Sequence, residues 1–392
     1  MKVPSISSSK RIMFYVQHLL GVGHVRRASL ISSALVAAGF EVHVILGGVD
    51  VPGIPFPGAH VHRLAEARAT DASFSSIVDA TGSPVTKQWQ ARRRDTLLVL
   101  FHSIAPDILL IEQFPFGRRQ FRFELIPLLE TAHSIPHRPF VACSVRDFLV
   151  NKNNPDRTRE TTETITNYFD QVLVHGDPSF LPFDASFDGT PHIATKLSYT
   201  GYVTASSTAD PALGQSTVGT GEVIIATGGG AVGEQLLRTS IAARSLSRLG
   251  DHTWRILVGP NVEPHVRDDL EKMAAMETGV IVEPNRPDYL TLLSNCTVSI
   301  SQAGYNTLMD IVTAQCPAVV VPFADGAENE QTIRARHLQE GRYVTLLDVD
   351  DLNAPVLAQT ADSVYLQTPP DNPPFRTDGA AITAEILAGS SS

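Results

Sequence analysis

Twice along this chain an apolar, β-rich run is followed by a glycine turn and then by a segment with helical spacing, and this repeat constrains the fold more than any other feature. In the first half the run is residues 11–16, the turn is Gly21-Val22-Gly23-His24, and residues 27–38 carry apolar side chains at helical spacing until Gly39 stops them. Residues 41–46 form a second apolar run, and a strand, helix and strand joined by short connections make the parallel unit. Further strands are expected at 108–111, 140–144 and 171–174. The second half restarts with residues 222–226, the turn Thr227-Gly228-Gly229-Gly230 and a helix over about 233–248. Strands follow near 254–258, 280–282, 298–300 and 318–321. The expectation is an α/β chain with two similar domains.

At about 150 residues per domain, 392 residues allow two or three. Residues 200–221 are poor in charge and rich in Ser, Thr, Gly, Ala and Pro, which is linker composition. The expected division is a first domain over 1–204, a linker over 205–220 and a second domain over 221–366. Residues 367–392 then hold a Pro-rich break and a last helix, over 377–387, crossing back to the first domain.

Lys and Arg number 31 against 41 Asp and Glu, a net charge of −10. That balance opposes non-specific binding to nucleic acid or to an anionic membrane, so a phosphate site has to be local. The three cysteines, Cys143, Cys296 and Cys316, form no close pair and give neither a disulfide framework nor a zinc motif. Gln17, His18, His24, Arg26 and Arg27 break the first apolar stretch before a signal-peptide core or a spanning helix could form. The reading is a cytoplasmic protein with no nucleic-acid partner and no transmembrane segment. Docking of an apolar patch at the inner face of the membrane stays open.

A glycine turn between strand and helix presents unpaired backbone N–H groups at the positive end of the helix dipole, where an anion can sit. The first turn is not the dinucleotide fingerprint GxGxxG, because Arg26 stands at the third glycine position, and there is no P-loop. NAD and ATP are therefore disfavoured as cofactors. Gly228, Gly229 and Gly230 make a second phosphate-loop candidate, although such turns are often purely structural. The most informative place is 301–310, SQAGYNTLMD. There Gly304 permits close approach, the amides of Tyr305, Asn306 and Thr307 would face a diphosphate, and Asp310 lies one turn from Asn306, where it could accept both hydroxyls of a ribose. The plainer alternative is an Asn/Thr cap with a solvated Asp. Residues 322–331, PFADGAENEQ, are acidic and amide-rich, which suits sugar hydroxyls.

The run Q-A-G-Y-N-T-L-M-D at 302–310, with P-F at 322–323 and E-Q at 330–331, resembles the donor signature of nucleotide-sugar glycosyltransferases with two Rossmann-like domains facing across a cleft, the GT-B class. It is closest in style to the peptidoglycan N-acetylglucosaminyltransferase family. G-V-G-H-V-R-R at 21–27, F-P-F-G-R-R at 114–119 and V-H-G-D-P at 174–178 resemble a bacterial subgroup of predicted glycosyltransferases. The resemblance implies that Gly304, Asn306 and Thr307 hold a diphosphate, Asp310 the ribose, and Glu330 with Gln331 the donor sugar, most naturally as a UDP-sugar. Two positions depart from the pattern: Gln302 stands where relatives usually have His, and Asp310 where the ribose acid is usually Glu. Arg286, in N-R-P-D-Y at 285–289, falls where such enzymes wrap the base.

His24 lies at the carboxyl end of the first strand, on the side where open α/β sheets bind ligands. An imidazole with an ordinary pKa of about 6.5 suits a general base, and in the family this place supplies the group that deprotonates or positions the acceptor. His18 is the rival and reads as structural. Gly23, Arg26, Arg118, Arg119 and Arg146 are candidates for an acceptor site that takes an anionic or lipid-linked group. The plainer alternative is solvated loop arginines with Phe114 and Phe116 as core anchors. No paired carboxylates, HExxH or Cys/His metal pattern is present, and the expected chemistry is inverting glycosyl transfer without a metal. The alternatives are a nucleotide-sugar hydrolase like that of pseudaminic acid synthesis, a non-catalytic nucleotide-sugar-binding subunit, and a nucleotide-sugar 2-epimerase.

Overall fold

A computed structural model describes residues 9–19, 22–69, 76–149, 154–205, 216–229, 232–323 and 330–390. Gly21, Gly230, residues 206–215 of the expected linker and residues 324–329 lie outside the described residues. Contacts divide the chain into two units, Met1–Val203 with Asp378–Ser392, and Thr204–Thr377.

The first unit contains strands β1 (Arg11–Val16), β2 (Glu41–Leu46), β3 (His60–Arg63), β4 (Ala67–Ala69), β5 (Ile77–Asp79), β6 (Ile108–Glu112), β7 (Phe140–Arg146), β8 (Gln171–His175) and β9 (Leu197–Tyr199). Its helices are α1 (Gly23–Ala37), α2 (Lys87–Ile104), α3 (Arg122–Ser134), α4 (Pro155–Tyr168) and the short α5 (Thr190–Ile193), and the last helix of the chain, Gly379–Gly389, also belongs to it and packs on α1. Seven strands form one parallel sheet in the order β3-β2-β1-β6-β7-β8-β9, and β4 and β5 make a separate antiparallel pair. Helices cover both faces, which is why the central strands β1, β6 and β7 read as nearly unbroken apolar runs. Ile12, Phe14 and Val16 face α1 and the last helix, whereas Met13 and Tyr15 face the core under α2 and α3.

One charged network crosses that second core. Arg93 of α2 is fully buried, with Nε donating to Glu124 Oε2 of α3 at 2.8 Å, Nη1 to the Gly47 carbonyl at 2.9 Å and Nη2 to Gln17 Oε1 at 2.5 Å. The Tyr15 hydroxyl donates to the other Glu124 oxygen at 2.5 Å. Burial first, and then the Glu124 charge, raise the Tyr15 phenol well above its ordinary pKa, so it remains a donor. The network anchors Gln17, the residue after β1, and so fixes the end of the sheet where His18 and His24 lie.

The second unit contains β10 (Glu222–Ala226), β11 (Thr253–Val258), β12 (Val280–Pro284), β13 (Val298–Gln302), β14 (Ala318–Val321) and β15 (Thr345–Leu346). Its helices are α6 (Glu234–Arg244), α7 (Pro264–Ala275), α8 (Tyr289–Asn295), α9 (Tyr305–Ala314), α10 (Glu330–Glu340) and α11 (Ala354–Tyr365), which makes the last helix of the chain α12. The six strands are parallel in the order β12-β11-β10-β13-β14-β15.

Each unit is thus a doubly wound sheet whose order reverses beside its first strand. The reversal falls between β1 and β6 in one unit and between β10 and β13 in the other. At such a point the connections leave to opposite faces and open a crevice at the carboxyl ends of the strands, where ligands bind. Gln17, His18, Gly23, His24 and Glu112 lie at the first crevice, and Thr227 to Gly229 with Gln302 to Gly304 at the second.

Candidate functional site

In the first unit His24 stands in the opening turn of α1, and its partner is a residue that the sequence reading did not single out. His24 Nδ1 lies 2.6 Å from Glu112 Oε1, at the carboxyl end of the adjacent β6. The same carboxylate oxygen accepts from Arg27 Nη2, one turn along α1. Glu112 is 1% exposed, and its Oε2 has no hydrogen-bond partner among the described residues, while the His24 side chain keeps 20% of its surface. Burial alone would raise the Glu112 carboxyl, but His24, Arg27 and Arg118 outweigh it and hold the group well below the usual range. Glu112 is therefore a fixed anion, with Nδ1 of His24 held on it and Nε2 left for an acceptor.

The ordinary pKa assumed for His24 does not survive folding. Burial lowers it to about 3, with Arg118 and Arg27 adding to the effect and Glu112 opposing it. The imidazole is neutral throughout the physiological range, as a base must be. His18 is 3% exposed and lowered to about 4, by burial and then by Arg118. Neither of its ring nitrogens has a partner among the described residues. It lines a cavity of ≈ 540 Å³ with Val25, Leu46, Ile54, Phe56 and Arg63. A third buried imidazole, His175, bridges Ser144 Oγ at 2.7 Å and Thr200 Oγ1 at 2.9 Å, and burial lowers it to about 3.

These three groups predict acid sensitivity of known sign. The unfolded chain takes up their protons near pH 6.5, whereas the folded chain resists until about 4 for His18 and about 3 for His24 and His175. Their contribution to stability is complete above pH 6.5 and is lost as pH falls toward 3 to 4. The melting temperature should drop progressively between pH 6.5 and 4, and a flat profile over that window would contradict these burial assignments.

The arginines proposed around an acceptor separate into two groups. Arg118 donates Nε to the Gln17 carbonyl, and its charge acts on Glu112, His24 and His18. Arg146, half-buried at the end of β7, is close enough to lower Arg118. Arg119 is instead ion-paired with Glu160 of α4, which Arg122 also contacts at 2.9 Å, so it is held away from the His24 group by a surface pair. Gly23 opens α1, and Arg26 is half-buried on the first turn. Phe114 is fully buried and Phe116 packs edge-on against Phe183 and Phe187, as core anchors would.

In the second unit four strand ends converge on the glycine turn. Gly228 has φ +62°, which a side chain would strain. A Cβ on Gly259, after β11, would stand 2.5 Å from the carbonyl carbon of Gly229. Asn285, after β12, donates Nδ2 to the Gly228 carbonyl at 2.7 Å. Gln302, at the end of β13, donates its amide to the carbonyls of Thr227 at 3.2 Å and Val232 at 3.3 Å. Gln302 thus ties the turn to the end of β13.

Helix α9 begins at Gly304 with no side-chain cap, unlike α2, α4 and α11, whose first turns are capped by Thr86, Asn154 and Asn353. Thr307 Oγ1 lies 3.8 Å from where a Cβ on Gly304 would be and 3.9 Å from where one on Gly228 would be. The glycine turn and the helix start therefore approach each other at Thr307. Asn306 is half-buried at its side and Asp310, one turn on, is 2% exposed.

The remaining candidates have protein partners. Glu330, the first residue of α10, accepts from Arg334 Nη2 at 3.2 Å, and the fully buried Arg334 lies over the Tyr305 ring at 5.1 Å. Gln331 Oε1 accepts the Phe323 amide at 3.1 Å. Arg286 grips Asp288 through Nε at 2.8 Å and Nη2 at 2.6 Å, and that pairing raises its pKa. The sequence singles out neither Asn285 nor Arg334 as a site residue.

Comparison with known proteins agrees with this geometry. Residues 223–375 match the glycosyltransferase family 28 C-terminal domain. The UDP-N-acetylglucosamine–N-acetylmuramyl-(pentapeptide) pyrophosphoryl-undecaprenol N-acetylglucosamine transferase of Desulfotalea psychrophila is 31% identical over 85 residues, 22% of this chain and 23% of that protein. The chain thus aligns with under a quarter of the length of that curated relative. Among solved structures, Acinetobacter baumannii MurG superposes with TM-score 0.55 at 12% identity, covering 97% of this chain and 100% of that one. The spinosyn rhamnosyltransferase SpnG complexed with thymidine diphosphate does so with TM-score 0.57 at 17% identity, covering 97% and 95%.

Two doubly wound parallel sheets and these superpositions give the chain the GT-B fold. The stretch that matches the family 28 model, residues 223–375, lies within the second unit.

Proposed function

We propose that this protein is a glycosyltransferase moving a sugar from a nucleoside-diphosphate donor, a UDP-sugar, to an acceptor hydroxyl with inversion at the anomeric carbon. The observation that carries the reading is the approach of the Gly228 turn to the α9 start at Thr307, on a domain that matches a glycosyltransferase family. Backbone N–H groups of Tyr305, Asn306 and Thr307 at the positive helix end, with the Thr307 hydroxyl, take the diphosphate. Asp310 takes the ribose. The choice of UDP rests on the donor named for the curated relative.

The first unit supplies the base. His24 Nε2 removes the acceptor proton, the oxygen attacks the anomeric carbon, and the bond to the diphosphate breaks as charge develops on the leaving oxygens. Fixed amides and the helix dipole at α9 stabilise that charge without a metal. Glu112 holds the imidazole by Nδ1 and stabilises the imidazolium once it forms. Arg118 and Arg146 make the surroundings of His24 favourable to an anionic acceptor, and the apolar wall beside His18 suits a lipid-linked one. Among the described residues no helix is long and apolar enough to cross a membrane. A lipid-linked acceptor would then be met at the inner membrane face by a cytoplasmic protein.

Calorimetry with UDP tests the donor assignment. Asp310→Asn should weaken binding about tenfold or more, since a charge-assisted hydrogen bond is worth roughly 1.5 to 3 kcal/mol. Thr307→Val, which keeps the shape, should cost about fivefold. Folded variants that bind UDP as the parent does would rule the assignment out.

A further inference from the structure

The amino-terminal edge of the first sheet, at the end of the strands opposite His24 and Glu112, carries a group of side chains that sugar transfer does not use. β2 and β3 pair in parallel with His43 beside His60 and Ile45 beside His62. Alternate residues of a strand share a face, so Glu41 and His43 of β2 and His60 and His62 of β3 all stand on one side of the sheet. The His43 ring stacks on His60 with centroids 4.8 Å apart and on His62 at 5.3 Å. His43 Nδ1 is 3.0 Å from His62 Nε2, and His43 Nε2 is 2.9 Å from Glu41 Oε1. One donor atom each from Glu41, His43 and His60 lie within 4.8 Å of one another.

Imidazole nitrogens beside one carboxylate, gathered on one face of the sheet, are the donor set that zinc and its neighbours in the transition series select. We propose that Glu41, His43 and His60 bind a divalent transition-metal ion, of which zinc is the type, with water completing the tetrahedron. His43 binds through the Nε2 that faces Glu41, and its Nδ1 keeps His62 as the partner that fixes the ring, as ligating histidines commonly do. Tetrahedral bonds of about 2.0–2.1 Å put donor atoms roughly 3.3 Å apart. The exposed side chains of Glu41 and His60 can close that difference by rotation, while β2 and β3 hold their Cα positions. Arg11, opposite Glu41 on β1, turns its guanidinium to the Ile104 carbonyl at 2.7 Å and leaves the carboxylate available. The ion would clamp the short edge strand β3 to the sheet and so act on stability.

The test is titration of the metal-stripped full-length protein with ZnCl₂ by calorimetry, with thermal unfolding measured in parallel. One zinc per chain and a rise in melting temperature are expected, since an ion bound only to the folded state stabilises it. His43→Ala with His60→Ala should weaken binding about 100-fold and abolish the rise, and the milder Glu41→Gln should weaken it about tenfold. His192→Ala, at an exposed histidine elsewhere, should change neither. Absence of saturable binding to the parent protein, or binding that survives both ligand variants, would overturn the proposal.

Discussion

Replacing His24 by alanine is expected to lower kcat by about 10²- to 10⁴-fold, the usual contribution of a positioned general base, and to leave UDP affinity unchanged because the donor groups lie in the other unit. Glu112→Gln should also lower kcat with little effect on acceptor KM, since the amide keeps the shape but not the charge that stabilises the imidazolium. The pH profile separates the two. With His24 lowered to about 3 by burial, the parent enzyme should stay active well below pH 6.5, where an ordinary imidazole would already be protonated. Glu112 is the group that raises His24, so its removal moves the acid limb lower still while the plateau falls. A folded His24→Ala protein with the parent's kcat and acid limb would remove His24 from the mechanism.

The second large effect is on folding. Arg93→Met should destabilise the protein by about 3–5 kcal/mol, because it leaves Glu124 as an uncompensated buried charge. At about 2–4 °C per kcal/mol for a unit of this size, the melting temperature should fall by roughly 6–20 °C. Arg93→Met combined with Glu124→Gln should recover much of the loss, because the stranded charge is then absent. A fall of less than about 1 °C in the single variant would show that the network is not what anchors Gln17 and the end of β1.

Strands buried on both faces announced themselves in the sequence, and β1, β2, β6, β10, β13 and β14 begin where the apolar runs begin. β3 escaped notice because His60-Val61-His62-Arg63 is a short edge strand with little apolar content. Helix α2 was missed because Arg92, Arg93 and Arg94 interrupt its apolar stripe, and it takes the structure to show that Arg93 points inward. α1 begins at Gly23, earlier than residue 27, since its polar first turn belongs to the crevice and not to the core.

The candidate site divides in the same way. Local signals, a glycine turn or a helix start, were readable because the residues concerned are neighbours in the chain. Glu112 was not, since its partner His24 lies 88 residues away and only the β1–β6 pairing joins them. The same holds for Glu41 and His60, each half of a pattern that β2 and β3 complete. Gln302, Glu330 and Gln331 show the same limit from the other side, since their protein partners, the Thr227 carbonyl, Arg334 and the Phe323 amide, are set by the fold and not by the local sequence.

The measurement that bears most directly on the central claim is product analysis by mass spectrometry after incubating the purified protein with a panel of nucleotide sugars and hydroxyl acceptors. The account predicts free nucleoside diphosphate together with acceptor heavier by one sugar residue, formed only when donor and acceptor are both present. Release of nucleoside diphosphate and free sugar in water alone, or no turnover of any nucleotide sugar by protein that is folded, would contradict it.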